Sequence, residues 1–216
     1  MFETIQMYCE RQAPGLLQEP FNLMAAVSYQ VAALDVWRKS SGITLLRWMA
    51  VGIMILGLSV LSQHLVPSRF TVTATLVFTV LLAMGYFFAV NRDMLGMSGL
   101  VALVCTLLIL PFAAVSMPLV LLLKGAGGSF AFVAYPVLLL GYAVLLRPDH
   151  PATARGLSLA AAVMVLGLVA RSLDTPLCAR LPSGTQFVWT LSVATLLWLL
   201  ARIYRAHMLA AGAADR

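Results

Sequence analysis

Long apolar stretches, separated by short polar loops, constrain this chain more than any other feature of its sequence. About 20 apolar residues cross the hydrocarbon core of a bilayer as one α-helix, which pairs its backbone groups internally. Barrel strands alternate polar and apolar residues, whereas these stretches are apolar on every side. We therefore predict one all-α integral membrane domain over residues 1–216, with a polar cap at 1–19. Seven transmembrane helices are predicted at 20–37, 42–63, 70–90, 96–116, 128–146, 155–173 and 186–206.

The charge composition supports a membrane protein and argues against a soluble one. Charged residues make up 10% of the chain and hydrophobic residues 62%, whereas soluble domains carry about 25% charged residues. A net charge of +6 would suggest nucleic acid as the partner of a soluble protein. Here the basic residues stand at the ends of the predicted spans, so we predict no nucleic-acid partner.

The distribution of Lys and Arg predicts the orientation, because basic loops stay on the cytoplasmic side. With an N-out/C-in topology, nine basic residues fall on the inner side and five on the outer side. The inner set is Arg38, Lys39, Arg47, Arg92, Arg147, Arg155, Arg202, Arg205 and Arg216. The outer set is Arg11, Arg69, Lys124, Arg171 and Arg180. This topology brings the N-terminal run, the 63–70 turn and the 174–186 loop to one outer face.

The N-terminal cap holds a large share of the chain's few acidic residues. Three of the eight, Glu3, Glu10 and Glu19, precede the first apolar stretch. Oxygen ligands gathered at this point can hold a hard cation such as calcium. The alternative is a cap that is simply solvated, and the residues alone leave both interpretations open.

Two motifs near the chain ends carry a resemblance to a known family. The first reads Tyr8-Cys9-Glu10-Arg11, followed by Pro14-Gly15 and by Glu19-Pro20 with Asn22. The second reads Arg171-Ser172-Leu173-Asp174, then Cys178, then Gly184-Thr185 with Phe187 and Trp189. The ordered pair, on a chain of this length, resembles the alkaline ceramidase family, particularly its bacterial members. The resemblance implies a seven-span amide hydrolase that splits ceramide into a sphingoid base and a fatty acid.

The zinc site that the resemblance implies is largely missing from this sequence. The family holds zinc with three histidines, and the metal activates a water molecule for attack on the amide. His64 matches the first ligand, but Gln186 and Thr190 stand where the family has the other two. The family's Asp and Ser are likewise replaced, by Thr75 and Val60. Glutamine and threonine are poor zinc ligands, so we predict a degenerate site that does not bind zinc.

The polar residues left at this degenerate site are predicted to bond to one another. A glutamine buried in a span needs hydrogen-bond partners, and we predict His64 and Thr75 as the partners of Gln186. The alternative for His64 is a hydrated polar residue at a helix end. Arg171 and Asp174 are predicted to form a structural ion pair, because charges at membrane depth are usually paired or functional.

The resemblance implies two further features of the cap. One is a disulfide between Cys9 and Cys178, which fits an oxidising compartment on the outer side. The other is a calcium site. Its ligands map onto the Tyr8 carbonyl, Glu10, Gln12 and Glu19.

The sequence leaves three functions open. The first is a ceramidase-family membrane protein that has lost hydrolysis and holds a ceramide-like lipid. The second is an active, divergent hydrolase of ceramide or another lipid amide. The third is a non-enzymatic seven-span receptor or assembly protein. The short loops and the spelling of the motifs favour a bacterial inner membrane.

Overall fold

Helices make up all the regular structure in the described part of the chain. The computed structural model describes residues 8–13, 15–121 and 132–214, and over these ranges it contains no β-strand. The helices are α1 (Pro20–Arg38), α2 (Thr44–Leu65), α3 (Arg69–Ala89), α4 (Gly99–Leu107), α5 (Ile109–Leu121), α6 (Ala134–Leu146), α7 (Pro151–Leu177) and α8 (Gln186–Ala214). A π-helical turn, Val90–Met94, follows α3 directly. The prediction of an all-α protein is confirmed.

Four helices are long and apolar enough to cross a membrane. They are Thr44–Leu65, Arg69–Met94, Pro151–Leu177 and Gln186–Gly212. The other three predicted spans coincide with α1, which is less apolar, and with the shorter apolar helices Gly99–Val115 and Ala134–Leu146. Cap residues 1–7, Lys124 and the start of the fifth predicted span at 128–131 lie outside the described residues. The chain is therefore described as helical with four candidate spans, while the count of seven and the orientation stay predictions.

Local sequence signals set where several helices begin. Pro20 and Pro151 stand in the first turns of α1 and α7, where a missing N–H costs no helical hydrogen bond. Ser68 starts α3 with a capping box, in which its side chain accepts from the N–H of Thr71 at 3.2 Å. The Thr71 hydroxyl accepts in return from the Ser68 N–H at 3.0 Å. The tight turn from α2 into α3 keeps His64, near the end of α2, beside the start of α3.

Small residues let the central helices pack closely. α1 packs between α2 and α8, and α7 packs between α6 and α8. The buried side of α1 is rich in alanine, namely Ala25, Ala26, Ala32 and Ala33. A Cβ added at Gly57 of α2 would lie 2.5 Å from the Cβ of Tyr29. The α1–α2 contact therefore depends on small residues, as is typical of helices packed within a membrane.

The outer surface of the bundle is apolar. Trp48 is 68% exposed, Phe70 71%, Leu100 73% and Val144 70%. Soluble monomers rarely expose contiguous apolar patches of more than a few hundred Å². Large apolar side chains on the outer faces of several helices suit contact with lipid.

Candidate functional site

The N-terminal segment, residues 8–13 and 15–19, is fastened to the loop between α7 and α8. Cys9 and Cys178 form a disulfide with their Cα atoms 5.3 Å apart. This is the pairing that the resemblance implied. The backbone N–H of Cys9 also donates to Oδ2 of Asp174 at 3.1 Å. Covalent and hydrogen bonds thus tie the segment to the C-terminal end of α7.

The same segment contacts the C-terminal end of α2. Nη2 of Arg11 donates to the carbonyl of His64 at 2.6 Å. Nε2 of Gln63 donates to the Tyr8 hydroxyl at 2.6 Å. Burial raises the pKa of the Tyr8 phenol, so this hydroxyl stays neutral. The N-terminal segment, the turn after α2 and the loop before α8 therefore meet at one end of the bundle, as hairpin geometry predicted.

Asp174, which is buried near the end of α7, anchors the start of α8. Its Oδ1 accepts from the backbone N–H of Thr185 at 2.7 Å and of Gln186 at 2.9 Å. These are N–H groups that the first turn of a helix leaves without a partner. The predicted ion pair between Asp174 and Arg171 is wrong. No ion pair joins these two described residues, because the Asp174 oxygens are used by backbone N–H groups.

The backbone at Gly184 makes this arrangement possible. Its φ of +62° lies in the left-handed region, where a residue with a Cβ is strained. An added Cβ would also overlap with Oδ1 of Asp174 and approach Cβ of Cys9 to 2.8 Å. Gly184 is therefore required for the chain to turn into α8 beneath the N-terminal segment.

Glu19 is the centre of a buried charged network. Its side chain is fully buried, and its Oε1 lies 2.6 Å from Nε of Arg11. Oε2 lies 2.6 Å from Nδ1 of His64 and accepts from Nδ2 of Asn22 at 3.2 Å. Arg11 is 4% exposed and His64 1%. The carboxylate is thus stabilised by a guanidinium and by hydrogen bonds, as a buried charge requires.

The bond to Glu19 fixes the orientation of the His64 ring. Since the carboxylate of Glu19 pairs with Arg11 and accepts hydrogen bonds, we assign the Nδ1–H tautomer to His64, in which Nδ1–H donates a hydrogen bond to Oε2 of Glu19. In the neutral ring Nε2 is then the acceptor. Nε2 has no hydrogen-bond partner among the described residues, and His64 lines the cavity described below.

Glu10 caps α1. Its two carboxylate oxygens accept from the backbone N–H of Phe21 at 2.6 Å and of Asn22 at 3.1 Å. Burial raises the pKa of this carboxyl, although the two N–H groups partly offset the effect. Glu10 therefore satisfies orphan donors at the start of a helix, a role that many acidic residues near helix N-termini have.

The residues predicted to bind calcium point to different partners. The Tyr8 carbonyl accepts from the N–H of Arg11 at 3.3 Å, and Gln12 is exposed. Glu10 faces the start of α1, and Glu19 faces Arg11 and His64. The two carboxylates are thus engaged by different partners in this arrangement, and calcium binding stays a prediction.

A cavity of about 240 Å³ lies between the helices below the N-terminal segment. Side chains of α1, α2, α3, α6, α7 and α8 line it. Gln186 and Leu200 both line it and are fourteen positions apart on α8. With a rise of about 1.5 Å per residue, the cavity extends about 21 Å along the bundle. It is thus a narrow channel with a polar end near His64 and a long apolar part.

Five positions that correspond to the family's site line this one cavity. They are Val60, His64, Thr75, Gln186 and Thr190. The donor set does not fit catalytic zinc, since it offers one imidazole beside an amide and a hydroxyl. Among the described residues, no group of three or more His, Cys, Asp and Glu side chains has the arrangement of a metal site.

The predicted hydrogen-bonded trio of His64, Thr75 and Gln186 is wrong. His64 bonds to Glu19 instead, and the Thr75 hydroxyl bonds to Ser59 at 3.0 Å and to the Thr71 carbonyl at 2.9 Å. Oε1 of Gln186 is buried without a hydrogen-bond partner among the described residues. The three side chains share a cavity but do not bond to one another.

Arg171 brings a positive charge to the polar end of the cavity. Its guanidinium lies 5.6 Å from the ring centre of Phe132 and 5.4 Å from that of Trp189. It also interacts with the Tyr8 hydroxyl. Arg171 and Trp189 both line the cavity. Stacking on two aromatic rings holds the guanidinium in place without neutralising its charge.

Sequence reasoning missed the roles of Arg11 and of Glu19 as partners of His64. The signal that could have found them was present. Arg11 and Glu19 both precede the first apolar stretch, and His64 ends the second, so hairpin geometry brings all three to one end of the bundle. A charge near a membrane entry point needs a partner, and these three titratable groups are brought to the same end.

Comparison with known proteins gives no match of any kind. No family model matches this sequence. No curated protein matches it, and no solved structure matches it. The resemblance to the alkaline ceramidase family therefore rests on the sequence motifs alone.

Proposed function

We propose that this chain is a seven-span, N-out/C-in membrane protein of the alkaline ceramidase type that holds a ceramide-like lipid by one of its chains. In this proposal it resides in a bacterial inner membrane and has lost zinc-dependent hydrolysis. The observation that carries the proposal is the narrow cavity, polar at the end near His64 and apolar along the rest of its length. A lipid has the same division between head group and chain.

The family-equivalent positions support the ceramidase part of the proposal. Residues from α2, α3 and α8, far apart in sequence, line one cavity at the positions where the family has its catalytic groups. The Cys9–Cys178 disulfide stands where the resemblance implied it. At the two positions of the missing histidines, Gln186 and Thr190 are poor donors for zinc. The cavity lining and the loss of two zinc-binding histidines thus favour lipid binding over metal-assisted hydrolysis.

The packing of α1 and α6 supports the count of seven spans. α1 lies against α2 and α8, and α6 lies against α7. These neighbours are long and apolar enough to cross the bilayer. A helix that packs along spanning helices shares their depth, and its backbone needs no water because its hydrogen bonds are internal.

Photo-crosslinking with a ceramide analogue tests the proposed function. Ala83 of α3 lines the cavity, whereas Leu81 on the same helix is 62% exposed on the outside. We expect purified protein to be labelled within the cavity, and Ala83→Trp to reduce labelling by about tenfold or more because the indole fills the channel. Leu81→Trp is the matched control and should label like the wild type. Equal labelling of the wild type and Ala83→Trp would show that lipid binds elsewhere.

A second candidate, an active hydrolase, is favoured by one observation. The carboxylate of Glu19 orients the ring of His64, which lines the cavity, and leaves Nε2 without a hydrogen-bond partner among the described residues. A histidine held in this way is a competent general base. In this alternative Nε2 takes a proton from water, and the hydroxide adds to the amide carbonyl to form a tetrahedral intermediate. His64 then passes the proton to the amide nitrogen as the C–N bond breaks, which releases the amine and the fatty acid.

Turnover of a labelled ceramide in detergent separates the two candidates. An active hydrolase of this kind keeps its turnover with a chelator and loses it in both Glu19→Gln and His64→Gln. Turnover that the chelator abolishes would instead reveal a metal site. No turnover in any sample would leave lipid binding as the function.

A further inference from the structure

The charge at the polar end of the cavity is positive and lacks a counter-charge among the described carboxylates. Arg171 is half-buried there and lines the cavity. The two nearest buried carboxylates are already engaged. Glu19 pairs with Arg11 and His64, and Asp174 accepts from backbone N–H groups. The groups that do touch Arg171 are the rings of Phe132 and Trp189 and the neutral Tyr8 hydroxyl.

A cation that is partly removed from water is stabilised when an anion accompanies it. Arginine suits this task, because its planar guanidinium matches carboxylate and phosphate oxygens with two parallel hydrogen bonds. An anionic ligand would therefore supply the counter-charge that Arg171 lacks among the described carboxylates.

A buried amide beside Arg171 adds a second point of recognition. Gln186 is 3% exposed and lines the cavity, and its Oε1 has no hydrogen-bond partner among the described residues. It lies one turn before Trp189, the ring under the guanidinium. The oxygen and nitrogen of an amide exchange places by a rotation of the side chain, so Gln186 can donate to a ligand oxygen here.

The dimensions of the cavity suit a lipid with one hydrocarbon chain and not a lipid that inserts two. Its volume is about 240 Å³, below the roughly 300–1,000 Å³ of pockets that take drug-sized ligands. Its length of about 21 Å exceeds the roughly 15 Å thickness of one hydrocarbon leaflet. A long and narrow space of this kind leaves room for one hydrocarbon chain at most.

We infer that the cavity binds a single-chain amphiphile with an anionic head group, a carboxylate or a phosphate monoester, held by Arg171 and Gln186. The inference rests on the lipid cavity of the proposed function, but it names a single-chain anionic amphiphile, instead of the neutral two-chain ceramide, as the lipid that this cavity prefers. The head group lies below the N-terminal segment, and the hydrocarbon chain runs along α8 past Val193 and Leu197 to Leu200. A neutral lipid binds the same channel less tightly, because it leaves the charge of Arg171 unpaired.

Displacement of a fluorescent C18 probe from purified protein in neutral detergent tests this inference. The competitors are oleate, oleyl phosphate and oleyl alcohol, which share one chain and differ in the head group. We expect oleate, oleyl phosphate or both to compete at about tenfold lower concentration than the alcohol. The comparison of oleate with oleyl phosphate distinguishes a site for carboxylates from a site for phosphate monoesters. Equal competition by all three compounds in the wild type would overturn the inference.

Variants then identify the residue responsible for the preference. Arg171→Gln should remove the advantage of the anionic competitors and leave the alcohol unchanged, while Arg171→Lys should keep part of the advantage. Arg180→Gln changes an exposed arginine at the same end of the bundle and serves as the matched control. A full anionic preference in Arg171→Gln would contradict the assignment. If no compound competes, charged or neutral, the proposed lipid site itself fails, and the wild-type comparison decides this without any variant.

Discussion

Asp174 shows how one buried carboxylate organises the polar end of this protein. It joins three parts of the chain, because it accepts from the N–H of Cys9 in the N-terminal segment and from those of Thr185 and Gln186 at the start of α8. Each of these donors would otherwise be left without a partner near the membrane. A negative charge near a helix N-terminus also interacts favourably with the helix dipole.

We predict that Asp174→Asn lowers the stability of the protein by about 2–3 kcal/mol, since an amide loses the charge and turns one acceptor into a donor facing an N–H group. The measurement is thermal unfolding in detergent, followed by circular dichroism. Asp149→Asn is the control, because Asp149 is exposed between α6 and α7. An Asp174→Asn variant as stable as the control would mean that other groups hold the start of α8.

The errors of sequence reasoning at this scale have one physical cause. Arg171 and Asp174 are three residues apart on one helix, a spacing that favours a local ion pair. The actual partners of Asp174 are backbone N–H groups 11, 12 and 165 residues away. His64 likewise bonds to Glu19, 45 residues away, instead of Gln186. A motif identifies which residues gather at the site, whereas the choice of hydrogen-bond partner depends on tertiary geometry.

At the scale of elements, the N-terminal segment covers the polar end of the cavity. It supplies Tyr8 to the cavity wall and Arg11 and Glu19 to the network around His64. The disulfide closes a sequence separation of 169 residues. The segment is therefore held to the bundle at both of its ends, by Cys9 and by the entry into α1.

Limited proteolysis can test this attachment. Leu16 and Leu17 are 63% and 74% exposed, so chymotrypsin can cut the chain there. We predict that the released N-terminal peptide stays bound to the rest of the protein and separates only after reduction, because Cys9 and Cys178 join the two fragments. Intact mass with and without reductant measures this. The Cys9→Ser variant should lose the peptide under both conditions, and loss from the oxidised wild type would show that the disulfide is absent.

Hydrophobicity predicted where the helices lie, but it did not predict where they are interrupted. Each predicted span overlaps one or two described helices over most of its length, since long apolar stretches have few other ways to satisfy their backbone groups. The π-helical turn Val90–Met94 was not foreseen. It brings Asn91, which is 1% exposed, to hydrogen bonds with Thr106 and Tyr142. Such a turn depends on contacts with other helices, which periodicity does not contain.

At the scale of the whole molecule, the two ends of the bundle differ in charge and in content. The end with the N-terminal segment holds the disulfide, the Glu19 network and the mouth of the cavity. The other end carries most of the basic residues, including Lys39 and Arg205, where Nε of Arg205 donates to the Lys39 carbonyl at 2.9 Å. The bias of Lys and Arg toward one end favours that end as the cytoplasmic one.

Thiol labelling can establish both the orientation and the number of spans. In a Cys105→Ala background, Arg69→Cys marks the end with the disulfide and Asp149→Cys marks the opposite end, and both positions are exposed. With N-out/C-in topology, an impermeant maleimide added to bacterial spheroplasts should label position 69, and label position 149 only after permeabilisation. The opposite result would reverse the orientation and remove the oxidising environment that the disulfide needs. Lys124→Cys, outside the described residues, tests the number of spans. With seven spans, position 124 lies on the same side of the membrane as position 69. With four spans, it lies on the same side as position 149.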